Sequence, residues 1–423
     1  MGVRGLMPLL ARFAPKCITM PLPEELAGWT VAVDSNIFVQ RFFKGTDGGV
    51  DSLRHLRGMR NLGRHVRALG VTPIFVFDGK LRALGKEVEL SRRNMDHLRV
   101  LSDLEREQAR AERISTMNDI NMQLLDAPAA QTSTDRSTAV DWLQGQVETL
   151  GGKEKPRHVT INWRIEQLEA DVCRLLLFQL GATRVLEGAF DTCVDSTQAL
   201  ASLQKYHMER LATLRRRTEP LTPDMIADCV ELMAALGFAT HVVDGSRESE
   251  GVCAHLCRHG VADAVCSEDL DVVVYGARLL RGFYSAGGAA AAMRLVDFQV
   301  ACTELGLSHR AFVDLCILCG TDFASTIEKV GPITALRLVH EFGSIERILD
   351  SGKFRPRPGF HFQIARDAFM ADAGSLPFSS KKEVADCSPP ADPAAVDVLL
   401  PPGAEDRGAL DARDPFARGL GLP

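Results

Sequence analysis

The sequence predicts an α/β protein: a twisted, mainly parallel sheet flanked by helices, interrupted by a helical insertion and followed by a helix–turn–helix hairpin. Three observations predict it. Two β-forming runs, VAVDSNI and VTPIFVFDGK, each carry an acid at the strand end, with a helical stretch between them. The stretch from His241 to Gly276, HVVDGSRESEGVCAHLCRHGVADAVCSEDLDVVVYG, repeats the strand-then-acid arrangement. Between these regions lie residues 100–222, mostly helical in pattern. Strands alternating with helices build parallel sheets.

Taken in order, residues 31–37 are a β-branched run reaching Asp34. The segment before them, with Pro8, Pro15, Pro21 and Pro23, reads as irregular around one short helix. Residues 52–69 read as a helix. Arg54, Arg57, Arg60, Arg64 and Arg67 recur there at spacings of three and four, opposite Leu53, Leu56, Met59 and Leu62. Such a face is either a solvated helix surface or a phosphate-tracking stripe. IFVF, within residues 71–80, is a buried strand ending at Asp78. Residues 80–99 form a basic helix with Lys80, Arg82, Lys86, Arg92, Arg93 and Arg99. Residues 100–222 are too long for a simple connection and read as an inserted helical subdomain, with Arg215, Arg216 and Arg217 near its end.

Residues 223–238 suit a helix with Pro223 in its first turn. FATHVVDG is a strand leading to Glu248, and EGVCAHLCRHG a helix ending at Gly260. VADAVCS and VVVYG read as strands, and Ala286 to Ala292 as a loop. Residues 311–350 look all-helical, with Asp322 at a helix end. The turn Lys329-Val330-Gly331-Pro332 makes a hairpin able to offer backbone N–H groups to a phosphate. From about Gly374 the chain is rich in Pro, Ala and Asp, the composition of a disordered tail.

The composition, 46% hydrophobic and 25% charged over 423 residues, is that of a soluble globular protein with two or three domains. No apolar run approaches a transmembrane span, and MGVRGLMPLLARFAPK is too short and broken an apolar segment for a signal peptide. Leu6 breaks the myristoylation pattern. The eleven cysteines are scattered, and the lone Cys316/Cys319 CxxC lies in an apolar helical run, so a buried helix face fits better than zinc. Reduced thiols in cytosol or nucleus are expected. A net charge of −6 does not advertise a nucleic-acid binder, although a cluster of catalytic acids would itself lower the total. No period of repeat length recurs.

Glu248/Glu250 and Asp269/Asp271 each have i, i+2 spacing, which lets both side chains of a pair aim at one point. Two unit charges at ~4 Å repel by about 4 kcal/mol at an effective dielectric of ~20. A cation or protonation must offset that. From this stretch alone, metal binding and two acidic surface turns stay open. Asp34, Asp78 and Asp322 add three further acids at element ends, and an all-oxygen donor set favours Mg²⁺ or Mn²⁺.

Several motifs resemble, in order, those of the flap endonuclease/XPG family of structure-specific 5′ nucleases: MGVRGL, VAVDSN, FVFDGK, SRESEGVCAHLCRHG, SEDLDVVVYG, and VDLCILCGTDF with VGPITAL. The resemblance covers residues 1–99 and about 225–350. It implies a PIN-like fold with an N-terminal nuclease region (1–99), a helical arch (100–222), an internal nuclease region (223–310), a helix–two-turn–helix DNA-binding region (311–373) and a tail (374–423). It further implies a hydrolase cutting phosphodiesters with two Mg²⁺ ions, for which Mn²⁺ can substitute. Asp34, Asp78 and Glu248 would mainly serve one ion and Asp269, Asp271 and Asp322 the other, with Glu250 between them. Lys86, with Arg92 or Arg93, would face the scissile phosphate, the register after Asp78 being open. Gly2, Arg54, Arg57, Arg64, Lys329 and Gly331 would face DNA, and Thr326, Ile327 and Val330 could offer oxygens to K⁺ at the helix–two-turn–helix.

The sequence also departs from the pattern. The interlude is longer than the usual arch, and Lys329 replaces a usual Gly. Ile333 and Thr334 stand where basic residues are common, and Gln40 where an aromatic often stacks on a base, with Phe38 and Phe42 close by. The tail lacks a sliding-clamp motif. The implied activity is cleavage of flap or branched DNA, or from 5′ ends, in replication or repair, by a monomeric nuclear or cytosolic enzyme. A catalytically weak nucleic-acid-binding scaffold and an RNase of the same fold are the alternatives.

Overall fold

In the computed structural model of the protein, residues 2–45, 52–79, 87–126, 133–151, 161–183, 196–244, 248–284, 293–371, 376–389 and 391–400 are described. They form two compact units, one from the residues up to Asp96 together with those from Pro220 on, the other from His97–Glu219. The first holds a seven-stranded sheet of β1 (Ile18–Thr19), β2 (Thr30–Asp34), β3 (Thr72–Phe77), β4 (Ala239–Val242), β5 (Ala264–Cys266), β6 (Leu279–Arg281) and β7 (Arg294–Val296). The order is β1-β7-β6-β5-β2-β3-β4. The run from β6 through β5, β2 and β3 to β4 is parallel, and β7 is antiparallel to both its neighbours.

The helices, in chain order, begin with α1 (Leu6–Phe13), α2 (Ser35–Lys44), α3 (Arg54–Ala68) and the long α4 (Glu87–Asp126), which enters the second unit. That unit continues with α5 (Ser133–Gln146), α6 (Ile161–Gln179) and α7 (Ser196–Thr218). The first unit resumes with α8 (Pro223–Ala235), α9 (Ser249–Arg258), the single turn α10 (Asp271–Val274), α11 (Phe298–Leu305), α12 (His309–Cys319), α13 (Pro332–Phe342), α14 (Ile345–Asp350) and α15 (Phe362–Met370).

Alternation along the central strands builds a core on each face of the sheet. Val31, Val33, Phe75 and Phe77 pack with Phe38, Phe42, Leu62 and Met233 from α2, α3 and α8. Ala32, Ile74, Val76 and Val265 pack on the other face with Leu6, Leu10, Leu256 and Phe312 from α1, α9 and α12. Every residue of β2 is buried, as expected of a strand covered on both sides. The second unit has a core of its own that includes Met117, Leu143, Val172, Leu176 and Leu203. Within it, fully buried Glu169 bridges Arg110 and Arg113, Arg110 also bridges Glu107, and Glu107 meets His207 at 3.1 Å. Among the described residues no helix is long and apolar enough to cross a membrane.

Three expectations change. VVVYG is not a strand: Asp271 N–H donates to Asp269 Oδ1 (3.1 Å) and Tyr275 N–H to the Asp271 carbonyl (2.9 Å), turning the chain into α10. Its three valines are buried, which fits a buried helical turn as well as a strand. The tail is not wholly disordered. Lys381–Asp386 and Pro393–Leu399 are short helices, anchored by buried Phe378, Val384 and Leu400 and by a Lys381–Asp263 ion pair at 2.6 Å. Phe38 and Phe42 are core residues, so neither is available to stack on a base, while Gln40 is exposed. The loop Ala286 to Ala292 and the tail from residue 401 lie outside the described residues.

Cys316 and Cys319 do sit on a buried helix face; burial pushes the Cys319 thiol up to about 12. Cys17, Cys173, Cys229, Cys253, Cys266 and Cys302 are also buried free thiols, whereas Cys387 is exposed.

Candidate metal centre

Parallel strands discharge their chains at one edge, so acids following neighbouring strands arrive side by side. Asp34 ends β2, Asp78 follows β3, and Asp269 lies just beyond β5, all in the parallel block. Helix α9 closes over this edge. Its first residue, Ser249, donates its backbone N–H to Asp78 (2.8 Å) and its hydroxyl to Asp34 (2.9 Å). Ser267 donates to the other Asp34 oxygen at 2.8 Å and accepts the Asp269 N–H at 3.1 Å. Asn36 holds the second Asp78 oxygen at 2.7 Å.

The glutamate pair enters from the start of α9, with Glu248 as its N-cap and Glu250 in its first turn. Tyr275, the C-cap of α10, is buried nearby. Burial raises this phenol well above its ordinary value, and the negative charges of Glu248, Glu250 and Asp271 raise it further. On the other side, Gly2 lies against the aspartate pair: a Cβ there would overlap Asp269 Oδ1 and lie 2.6 Å from Asp271 Oδ1. Arg4 N–H donates to the Gly320 carbonyl at 3.1 Å, tying the same N-terminal segment to the turn that carries buried Asp322.

The cluster has an electrostatic signature. Burial, then the charges of Asp78 and Asp269, push Asp34 up to about 7 against the opposing hydrogen bonds from Ser267 and Ser249. A buried carboxylate in that condition is one that a cation would stabilise. The donor set is all oxygen, which suits a hard divalent ion. Among the described residues, however, no three acidic, histidine or cysteine side chains already converge on one ion position. The reason lies in the hydrogen bonds above: Asp34, Asp78 and Asp269 point oxygens at Ser249, Ser267, Asn36 and the Asp271 N–H. Mg²⁺ keeps several waters and needs few direct carboxylates, so an all-oxygen donor set of this kind is compatible with such an ion.

The other sequence-derived positions fare differently. Lys86 lies outside the described residues, and of Arg92 and Arg93 only the helical backbone of α4 is described. The arginines of α3 do not form one exposed stripe. Arg54 is 2% and Arg57 6% exposed; Arg54 donates to the Phe43 carbonyl at 2.6 Å and sits 4.2 Å from the Phe43 ring. Arg67 caps the Leu236 carbonyl and lies over the Phe238 ring, while Arg64 is exposed. Lys329 and Gly331 are exposed at the α12–α13 hairpin, and Lys329 takes the left-handed φ of 60° that a Gly would take without strain. The Thr326 carbonyl there accepts Arg357 N–H and the Ile327 carbonyl accepts Val330 N–H, which leaves each oxygen one lone pair.

Sequence reasoning missed Asn36, Ser249 and Ser267. Each lies within two residues of an acid it serves, or on a neighbouring element, and adjacency to the acids was the one signal available.

Comparison with known proteins places these observations. Residues 1–98 match the XPG N-terminal domain and residues 240–322 the XPG I-region. Flap endonuclease 1 of Ostreococcus tauri is 34% identical over 173 residues, covering 40% of this chain and 44% of that protein. Flap endonuclease 1 of Ostreococcus lucimarinus is 32% identical over 219 residues, covering 49% and 56%. The chain thus spans about half the length of these two relatives. Flap endonuclease 1-A of Sorghum bicolor is 26% identical over 382 residues, covering 87% of this chain and 75% of that protein. Among solved structures, the catalytic core of Rad2 in complex with DNA substrate superposes with a TM-score of 0.51 over 94% of each chain at 14% identity, a likeness of PIN-like fold.

Proposed function

The chain belongs to the flap endonuclease/XPG family, and from that premise we propose that it is a metal-dependent nuclease hydrolysing phosphodiester bonds in flap or branched DNA, or from 5′ ends, in replication or repair. One observation carries the reading: Asp34, Asp78 and Asp269, which follow three neighbouring parallel strands, are gathered at one sheet edge and linked through Ser249 and Ser267, with the paired glutamates at the start of α9 beside Ser249. Asp34, Asp78 and Glu248 would hold one Mg²⁺ and Asp269, Asp271 and Asp322 a second, with Glu250 between them. Bound there, such ions supply an activated water and neutralise charge on the reacting phosphate.

The chain's own residues prepare that site. Ser249 and Ser267 fix both oxygens of Asp34, and Asn36 with the Ser249 N–H fixes Asp78. Gly2 lets the N-terminal segment approach Asp269 and Asp271 where any side chain would collide. Lys86, with Arg92 or Arg93, is assigned to the scissile phosphate, where charge stabilisation is commonly worth a few kcal/mol. Arg64, Lys329 and Gly331 are assigned to the DNA backbone; Arg54 and Arg57 are withdrawn from that role by burial. The carbonyls of Thr326, Ile327 and Val330 are assigned to a K⁺ ion at the hairpin.

The test is cleavage of a labelled 5′-flap duplex in Mg²⁺, with binding measured separately in Ca²⁺. Wild type should cleave, and Asp269→Ala should lose at least about 10²-fold in rate while binding the duplex as before. Absence of cleavage by wild type with binding retained would replace the nuclease by the scaffold. Preferential cleavage of a matched RNA flap would make it an RNase.

A further inference from the structure

The N-terminal segment joins two features that lie far apart in the sequence. At one end Gly2 sits against the aspartate pair, where a Cβ would lie 2.6 Å from Asp271 Oδ1. At the other, Gly5 sits against the α12–α13 hairpin: a Cβ there would lie 2.6 Å from Cγ of Pro332, the first residue of α13. Three residue steps span at most about 11 Å, so the acidic edge and the start of α13 are close neighbours. Arg4 stands between them. Its backbone N–H donates to the Gly320 carbonyl at 3.1 Å. Its side-chain stem crosses Gly320, whose Cβ position would lie 3.4 Å from Arg4 Cδ and 2.9 Å from Thr326 Cγ2 at the base of the hairpin. Arg4 is exposed, and among the described residues its guanidinium makes no ion pair or hydrogen bond.

A nucleic-acid backbone that approaches a cluster of carboxylates is repelled at every phosphate that no cation neutralises. Divalent ions offset this at the reacting phosphate, and the phosphates beside it need cations of the protein. A guanidinium offers five donors in a planar fork that matches phosphate oxygens. An arginine whose stem is already packed has fewer rotamers to lose on binding than one free in solvent. We propose that Arg4 is a phosphate-binding residue: it takes a backbone phosphate of the strand that runs from the acidic edge towards the α12–α13 hairpin. Arg4 thereby connects the reacting centre with the backbone contacts assigned to Lys329 and Gly331, and the short segment from Gly2 to Gly5 sets the spacing between the two. The proposal rests on the nuclease reading of the acidic edge.

The test is binding of a labelled 5′-flap duplex in Ca²⁺, followed by fluorescence anisotropy over a salt series, for the full chain as wild type, Arg4→Gln and Arg4→Lys. Mn²⁺ binding is read separately as loss of the free-ion electron paramagnetic resonance signal. Glutamine keeps much of the stem and removes the charge. Arg4→Gln should bind the duplex about 10-fold more weakly at low salt, with the slope of log K against log salt reduced by about 1, while Arg4→Lys keeps the wild-type slope. Mn²⁺ affinity should be the same in all three proteins, which a disturbance of Gly2 and the aspartate pair would not give. An unchanged slope in Arg4→Gln, with wild type binding the duplex, makes Arg4 a solvated surface cation and overturns the proposal while the nuclease reading stands. A lowered slope accompanied by weaker Mn²⁺ binding overturns it as well, since the residue would then act through the acidic edge. Failure of wild type to bind the duplex would remove the nuclease reading and this proposal with it.

Discussion

At the scale of single residues, small groups control the acidic edge. Gly2 has φ +82° and no room for a Cβ beside Asp269 and Asp271. Gly2→Ala therefore has to displace the segment and carry left-handed strain of roughly 1–2 kcal/mol. It should lower metal-dependent flap cleavage by about 10²-fold, since displacements near 1 Å at reacting groups have that effect. An alanine variant with wild-type turnover would show that the N-terminal segment is irrelevant to the aspartate pair. The arginines of α3 offer a contrast. Buried Arg54 holds the Phe43 carbonyl and ring. Arg54→Ala should cost about 2 kcal/mol of stability in a denaturant titration and leave the salt slope of DNA binding unaltered. Exposed Arg64 should do the reverse: Arg64→Ala keeps stability and reduces the slope of log K against log salt by about 1. In the sequence these two arginines were indistinguishable. Spacing shows that they lie on neighbouring parts of one helix, but which part faces Phe43 is decided by tertiary packing.

At the scale of elements, α12, α14 and α15 are joined by one cation. Arg366 holds Asp314 with two hydrogen bonds of 2.8 Å and Glu346 with bonds of 2.6 and 3.1 Å. The Asp314 side chain is 1% exposed, so Arg366→Met strands a buried charge and should cost about 3–5 kcal/mol by thermal or denaturant melting. The two acids respond to pH in opposite senses. Hydrogen bonding to Arg366 holds Glu346 at about 2, below its usual 4.5, so its contribution is complete above pH 4.5 and is lost as pH falls through 2. Burial raises Asp314 despite Arg366, so its contribution is greatest below its usual 3.8 and declines as pH rises through the raised value. The melting-temperature gap between wild type and Glu346→Gln should accordingly close as pH is lowered from 4.5 to 2; a gap constant over that window would remove Glu346 from the latch. Elements were legible in proportion to how local their causes were. β2, β3 and their terminal acids were visible because β-branched and aromatic runs followed by Asp need no distant partner. α10 was not, because Val272, Val273 and Val274 favour a strand until Asp269 captures the Asp271 N–H. The serines serving Asp34 were equally silent, since α9 and β5 bring them there only after folding.

At the scale of the whole molecule, the helical unit's core shares no residue with either core of the sheet unit, which implies two separable stabilities. Glu169 is buried between Arg110 and Arg113 in the helical unit, so Glu169→Ala should weaken that unit by several kcal/mol. Hydrogen exchange should then accelerate in residues 161–183 and 196–219 while the amides of β2 and β3 keep their protection. Uniform acceleration would mean that the units unfold as one. The insertion's existence was legible from its length alone, but its buried charges were not, because an alternating Glu/Arg pattern also describes a solvated helix. The C-terminal segment offers a different use. It docks on the sheet unit through Val384 and the Lys381–Asp263 pair, and Cys387 closes its helix as an exposed thiol, while Cys17, Cys173, Cys229, Cys253, Cys266, Cys302, Cys316 and Cys319 are shut inside. With partly buried Cys257 and Cys193 both replaced by serine, a maleimide dye added to the folded protein would attach at Cys387, and its fluorescence anisotropy would report detachment of that segment from the body.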